Sequence, residues 1–345
     1  MNGTMDGTSR TALVIGATGG IGGEVAAVLL RRGWTVRGLN RDPAAAARRM
    51  AGPMAGRPGV QWVAGDAMNA GDVLRAAEGV SVIVHAANPP GYRDWRGLAL
   101  PMLDSTNAAA EATGARIVLP ANVYNFGPDA FPLLSEASPQ NPTTRKGKVR
   151  VEMGRRLAAA AGRGVRSLLV RAGDFFGPRP GSSWLTAGMI RQGRPLRFVM
   201  NPARPGIGHA WAYLPDLAET MVRLLERGDA LEDFAVFHFG GHWLDDNRQM
   251  AEAALRVAGQ PAGSVRRFPW WALWAIAPFV TFARETLEMR YLWREPIRLD
   301  NRKLVALLGT EPHTPLDDAV RTALAGAGVL GDAAGREVPA TPVTT

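Results

Sequence analysis

The feature that most constrains this chain is the glycine-rich turn Gly16-Ala17-Thr18-Gly19-Gly20-Ile21-Gly22. It follows directly on a short apolar run, 11–15 (TALVI), and opens a stretch with helical periodicity, 20–32. A second apolar run follows at 35–39. Strand, turn, helix and strand in that order make a βαβ unit. Its glycines have separate tasks: one permits the tight turn, one lets backbone approach a pyrophosphate, and one lets helix and strand pack closely. The helix N-terminus adds free N–H groups and a partial positive charge suited to phosphate. The unit predicts a dinucleotide site with Gly16, Thr18, Gly19, Gly20, Ile21 and Gly22 as its phosphate cradle.

Apolar runs continue at 61–64, 81–85, 116–119 and 165–171, separated by helical stretches at 43–50, 70–78, 98–113 and 144–161. This alternation predicts the α/β class, a Rossmann-type doubly wound parallel sheet covered on both faces, with a smaller C-terminal substrate region. Val82-Ile83-Val84 suits a strand buried on both sides. Past Gly177 the pattern changes: Pro and Gly become frequent, and Trp184, Trp211, Trp243, Trp270, Trp271, Trp274 and Trp293 all fall there. The expected division is a dinucleotide-binding domain over 10–177, a mainly substrate-binding region over 178–330 and a loose tail over 331–345. A strand near 234–239 is expected to return to the sheet.

The end of the second run chooses the cofactor. An acidic residue there would bond the ribose hydroxyls of NAD(H). Here Asn40 and Arg41 occupy it, and an arginine meets a 2′-phosphate with charge-assisted bonds. NADP(H) is therefore favoured, with NAD(H) the alternative kept open by Asp42. Asp66, followed by Ala67, closes the third run, where a carboxylate would accept from the adenine amino group. Ala86, Ala87 and Asn88 close the fourth, where small residues leave room for the cofactor. His85 just before them reads as a strand-end core histidine.

Composition removes several classes of function. The chain has 345 residues and no cysteine, so disulfides and thiolate metal sites are excluded. Its five histidines show no ligand spacing on a helix, which argues against a metal enzyme. The net charge is +9, but no basic run or aromatic-basic module points to nucleic acid. The first ten residues lack the apolar core of a signal peptide. The most apolar run, 268–282, is interrupted by Pro269 and Pro278 and falls short of the roughly 20 residues that a membrane span needs. A cytoplasmic protein with a small-molecule substrate, no transmembrane segment and no nucleic-acid partner is expected. The aromatic run itself admits three readings. It is a lid or pocket wall for a bulky apolar substrate, an interfacial membrane contact rimmed by Arg266, Arg267 and Arg284, or core packing or a dimer contact. Trp270 and Trp274, four apart, are expected on one helical face.

Taken together, the motifs resemble the extended short-chain dehydrogenase/reductase superfamily, in its NAD-dependent epimerase/dehydratase branch. The matching pieces are GATGGIG at 16–22, Gly65-Asp66, HAA at 85–87, VYNFGP at 123–128, RAGDFFGP at 171–178, WAYLPDLAE at 211–219 and the closing segment 299–320. The resemblance implies a Rossmann domain, a small C-terminal substrate domain and a site between them. It also implies oxidoreductase or epimerase-type chemistry on a carbonyl or sugar-like substrate, and pairing of helices 98–113 and 144–161 in a homodimer.

The family's chemistry rests on a Ser/Thr and on a Tyr four residues before a Lys. Here the tyrosine position falls on Lys146, the lysine position on Arg150 and the serine position on Pro120. An offset alignment brings Thr144 and Lys148 into the two slots and still supplies no tyrosine. Three readings follow. In the first, the acid is rebuilt from Lys146, its pKa lowered by burial and by Arg150 one turn away, or from Tyr124 or Tyr213. In the second, the fold binds the dinucleotide without turnover, as a redox-sensing or interaction protein. In the third, Lys146 and Arg150 hold an anionic group of cofactor or substrate. The catalytic candidates are thus Lys146, Arg150 and Tyr124.

Overall fold

The computed structural model describes residues 10–50, 59–89, 94–179 and 183–330, so the tail expected at 331–345 lies outside it. The first half alternates as β1 (Thr11–Ile15), α1 (Gly20–Arg31), β2 (Thr35–Asn40), α2 (Pro43–Met50), β3 (Gln61–Ala64), α3 (Ala70–Ala77) and β4 (Val82–His85). It continues as α4 (Trp95–Thr113), β5 (Arg116–Ala121), α5 (Arg145–Ala161) and β6 (Ser167–Arg171). After α6 (Leu214–Leu225), β7 (Phe234–His238) returns to the sheet. The seven strands lie in the order β3-β2-β1-β4-β5-β6-β7, all parallel.

Alternation along each strand builds two cores. Val14, Val84, Val118 and Leu168 pack with Val25 and Leu29 of α1 and with Leu217 and Met221 of α6. Leu13, Ile83, Ile117 and Leu169 pack on the opposite face with Val73 of α3, Leu103 of α4 and Leu157 of α5. Each such side chain, fully buried, contributes about 1.5–3 kcal/mol.

Most boundaries agree with the sequence reading to within a residue or two, and two element starts differ by two residues or more. The fourth helix starts at Trp95 rather than 98, because Asp94 caps it, its carboxylate accepting the Gly97 N–H at 3.0 Å. The apolar period begins only at Leu98, so periodicity misses that first turn. The sixth strand starts at Ser167 rather than 165, because the Val165 N–H bonds back to Ala160 O at 3.1 Å and closes α5.

Beyond β6, short strands build a second region. Asp174–Phe176, His209–Tyr213 and His242–Leu244 form a three-stranded sheet. Phe198–Asn201 pairs with Ser264–Arg267, and Leu133–Leu134 with Arg298–Leu299. The remaining helices are α7 (Arg248–Val257), α8 (Trp270–Ile276), α9 (Thr281–Glu288), α10 (Arg302–Leu308) and α11 (Leu316–Gly326). Among the described residues no helix is long and apolar enough to cross a membrane.

The aromatic run does not keep one face. Trp270 turns inward, its Nε1 donating to Pro202 O at 2.9 Å and its ring against Trp184 and Phe268. Trp274 is exposed. Core packing accounts for the first and not for the second.

Candidate functional site

The strand order reverses between β1 and β4, whose C-terminal ends pair Ile15 with His85. Ligands of open α/β sheets bind in the crevice at such a point. The glycines make that crevice. Gly16 adopts φ +91°, and a Cβ there would sit 2.7 Å from the Ala86 carbonyl carbon. A Cβ on Gly22 would sit 2.3 Å from Gly16 O. The α1 N-cap is Gly19, and among the described residues no side chain caps it and no acid lies in the first turn. A turn this tight beneath an uncapped helix fits a dinucleotide pyrophosphate.

A cleft of about 600 Å3 opens there. Gly16, Thr18, Gly19, Gly20, Ile21, Arg41, Ala86, Ala87 and Asn88 all line it, joined by Arg49. Gly22 sits behind, against Gly16. Asn40, Asp66 and Ala67 are not on its wall. The Asn40 Oδ1 accepts the Asp42 N–H at 2.9 Å, and Asp42 Oδ1 in turn accepts the Ala45 N–H at 2.9 Å, at the start of α2. Asp66 Oδ1 accepts the Met68 N–H at 3.0 Å, and Ala67 packs against the core.

The catalytic candidates separate. Lys146 is 1% exposed and lines a different depression, with Asp94, Glu152 and Glu285. Its Nζ is ion-paired with Glu285 and lies 2.7 Å from Glu288 Oε2 and 3.2 Å from Glu285 O. The sequence reading of Lys146 as an acid at the nicotinamide is therefore corrected in its placement: Lys146 is not on the wall of the glycine cleft. The groups around its ammonium are carboxylates of α9, and they draw it away from the cleft. Burial works against the Glu288 carboxylate, yet the hydrogen bond and charge of Lys146 outweigh it and hold its pKa below the usual range.

Arg150, one turn on, does line the cleft. Its Nη2 donates to Asn88 Oδ1 at 2.9 Å, and its guanidinium lies 4.7 Å above the Trp95 ring. Tyr124 lines the cleft too, its ring 6.5 Å from that of Trp95. Tyr213 does not: it packs on Phe176, and burial pushes its hydroxyl up to about 12. Pro120, which the sequence reading set in the serine slot, sits on the cleft wall and offers no hydroxyl.

The sequence reading missed three things. Asp174 lines the cleft and is held by His209, Nε2 to Oδ2 2.7 Å, with His209 stacked on Trp293 at 4.0 Å. The two residues are 35 apart and meet only because strand 174–176 pairs with strand 209–213. Arg49 reaches the cleft from the end of α2. His85, read as a core histidine, is buried and also borders the cleft. The Thr106 hydroxyl donates to Met102 O at 3.1 Å, so at 2.8 Å it accepts from His85 Nδ1. That leaves Nε2 as a bare acceptor with no partner among the described residues. Burial, then the nearby charge of Arg150, lowers the His85 pKa to about 4, so the ring is neutral at pH 7.

Residues 16–146 match a family model described as NAD(P)H-binding. No curated protein sequence matches the chain. Solved structures do match in fold. Bordetella bronchiseptica WbmH, in complex with NAD+, superposes with a TM-score of 0.66 at 18% identity, over 92% of this chain and 97% of that one. Bacillus cereus UDP-glucuronic acid 4-epimerase, in complex with UDP-glucuronic acid and NAD, gives 0.70 at 16%, over 92% and 98%. The dTDP-glucose 4,6-dehydratase DesIV of Streptomyces venezuelae, a double mutant with NAD bound, gives 0.69 at 19%, over 91% and 96%. Residues 16–146 thus match an NAD(P)H-binding domain, and over about nine-tenths of its length the chain has the fold of these NAD-bound epimerase and dehydratase structures.

Proposed function

We propose that this chain is an NADP(H)-dependent oxidoreductase or epimerase-type enzyme for a carbonyl or sugar-like substrate, with its acid rebuilt from Tyr124 and Arg150. The observation that carries this reading is that Tyr124 and Arg150 share the wall of the glycine cleft, both against Trp95, while Lys146 is bound elsewhere.

Gly16, Thr18, Gly19, Gly20, Ile21 and Gly22 would hold the pyrophosphate, with Ala86 and Ala87 leaving room beside it. Arg41 and Arg49 on the cleft wall favour a 2′-phosphate, and Asp42, which would favour the ribose hydroxyls of NAD(H), is engaged instead by the Ala45 N–H at the start of α2. When bound, the nicotinamide supplies or accepts the hydride. The protein's part is to manage the substrate oxygen. As negative charge develops there, the Tyr124 hydroxyl gives its proton and the Arg150 guanidinium stabilises the alkoxide. Asn88 and Trp95 fix the guanidinium in place before the reaction. Asp174, held by His209, offers an acceptor for a substrate hydroxyl.

The test is NADPH oxidation against a panel of ketones, enones and aldehydes, with Tyr124→Phe beside the native chain. Loss of a proton donor costs about 10²–10⁴ in turnover, with NADPH affinity retained. A second reading, a dinucleotide-binding redox-sensing or interaction protein, is favoured by the missing Tyr-x-x-x-Lys pair and the diverted Lys146. Tight NADPH binding with no turnover of any substrate would select it.

A further inference from the structure

Between Trp271 and Phe282 most of the large apolar side chains turn outward. Trp271 is 76% exposed, Trp274 60% and Phe279 89%, with Ile276, Val280 and Phe282 exposed beside them. No residue of α8 is buried. Trp271 and Trp274, three apart, share a helical face. The other exposed large hydrophobics, Met68, Leu74 and Leu133, come from distant segments. Single apolar residues are ordinary surface, whereas a contiguous patch of this kind marks a contact site.

The charge around the patch is one-sided. Residues 261–284 contain no Asp or Glu, and the exposed Arg266, Arg267 and Arg284 flank the apolar run. The acids of the two helices, Glu285 and Glu288, are turned onto Arg145 and Lys146 of α5. They brace the hairpin and are neutralised there. At the root of the hairpin, Phe268 and Pro269 border a cavity of about 680 Å3 that also carries Arg191, Arg194 and Arg197.

We propose that the α8–α9 hairpin is a peripheral docking surface for an anionic lipid bilayer. Tryptophan and phenylalanine rings sit at the boundary between headgroups and acyl chains, and the flanking arginines reach lipid phosphates. The hairpin lies in the interface and does not cross it, being too short to span. A second copy of the chain fits less well, because a two-fold contact through this patch brings the same arginine collar against itself.

The test uses the full chain with vesicles of phosphatidylglycerol and phosphatidylcholine, and with vesicles of phosphatidylcholine alone. Expected are co-sedimentation with the anionic vesicles and a blue shift of tryptophan emission. The double variant Trp271→Ser/Phe279→Ser should bind about tenfold more weakly or worse, since binding scales with buried apolar area. Arg266→Glu/Arg284→Glu should lose the preference for anionic vesicles. All four side chains are exposed, so unchanged circular dichroism and melting temperature control for folding. Native chain that stays in the supernatant with anionic vesicles overturns the proposal, as does equal binding by the Trp271/Phe279 variant. A dimer that the same variant dissociates, with no vesicle binding by either form, assigns the patch to contact between copies and also overturns it.

Discussion

Lys146 Nζ lies 2.7 Å from Glu288 Oε2, across the junction of α5 and α9. Lys146 thereby braces α5 against α9. Lys146→Ala leaves Glu285 and Glu288 with Arg145 as their one remaining ion-pair partner among the described residues. Breaking a buried pair costs about 3–5 kcal/mol, and the remaining arginine favours the lower end. Differential scanning calorimetry should show a lower melting temperature, while kcat of the folded variant changes less than about tenfold. Complete loss of turnover in well-folded variant would return the acid role to Lys146.

Gly22→Ala tests the cradle. Its Cβ would sit 2.3 Å from Gly16 O, a backbone atom that cannot swing away. Overpacking of this kind costs about 1–3 kcal/mol, which falls on the turn that receives the pyrophosphate. Fluorescence titration should show NADPH affinity down by about tenfold or more. Gly33→Ala would be strained by its positive φ, so Gly59→Ala, with no atom of the described residues within 4 Å of the added Cβ, is the control and should change nothing.

Arg41→Ala should separate the two cofactors. A hydrogen bond to a charged group contributes about 1.5–3 kcal/mol, so NADPH affinity should fall about 10- to 100-fold while NADH affinity holds. Adding Arg49→Ala should deepen the loss. Equal weakening of NADH and NADPH would show that the arginines meet no 2′-phosphate.

Acid should destabilise the protein through its buried histidines. Burial, reinforced by Arg150, lowers His85 to about 4, and burial, reinforced by Arg171, lowers His238 to about 4. In the unfolded chain both take a proton near 6.5. Between those values the unfolded state binds more protons, so stability is full above pH 6.5 and drains as pH falls toward 4. Each histidine contributes a slope of up to about 1.4 kcal/mol per pH unit. Urea denaturation at successive pH values should show it, and His85→Asn should flatten the curve in that window.

Much of this molecule was legible because its signals are local. The parallel strands announce themselves as apolar runs, and Gly16 to Gly22 sit beside the strand and helix that give them meaning. Arg41 is read from its place at the end of β2. The remainder depends on contacts between distant segments. A sequence motif fixes that Lys146 and Arg150 lie on one helix, but not which way each turns. Arg150 turns to the cleft and Asn88, whereas Lys146 is taken by carboxylates 139 and 142 residues away. Asp174 meets His209 only through strand pairing. The even helical stripe expected of Trp270 and Trp274 splits because Pro202 O and the ring of Trp184 claim the first and nothing in the core claims the second.

The last strand of the sheet has a consequence for how such a chain can change. β7 bonds to β6 from Phe234 against Ser167 to His238 against Arg171, and the flanking Asp233 O and Phe239 N extend that seam. A fragment cut after residue 177 would strip those partners from β6 and bare its main-chain groups to any passing strand. The first half is thus not a cassette that can be lifted out and joined to a new second half. However the segment between 178 and 233 comes to vary, it must still deliver the chain back to the same seam, so the two halves can diversify but cannot part company.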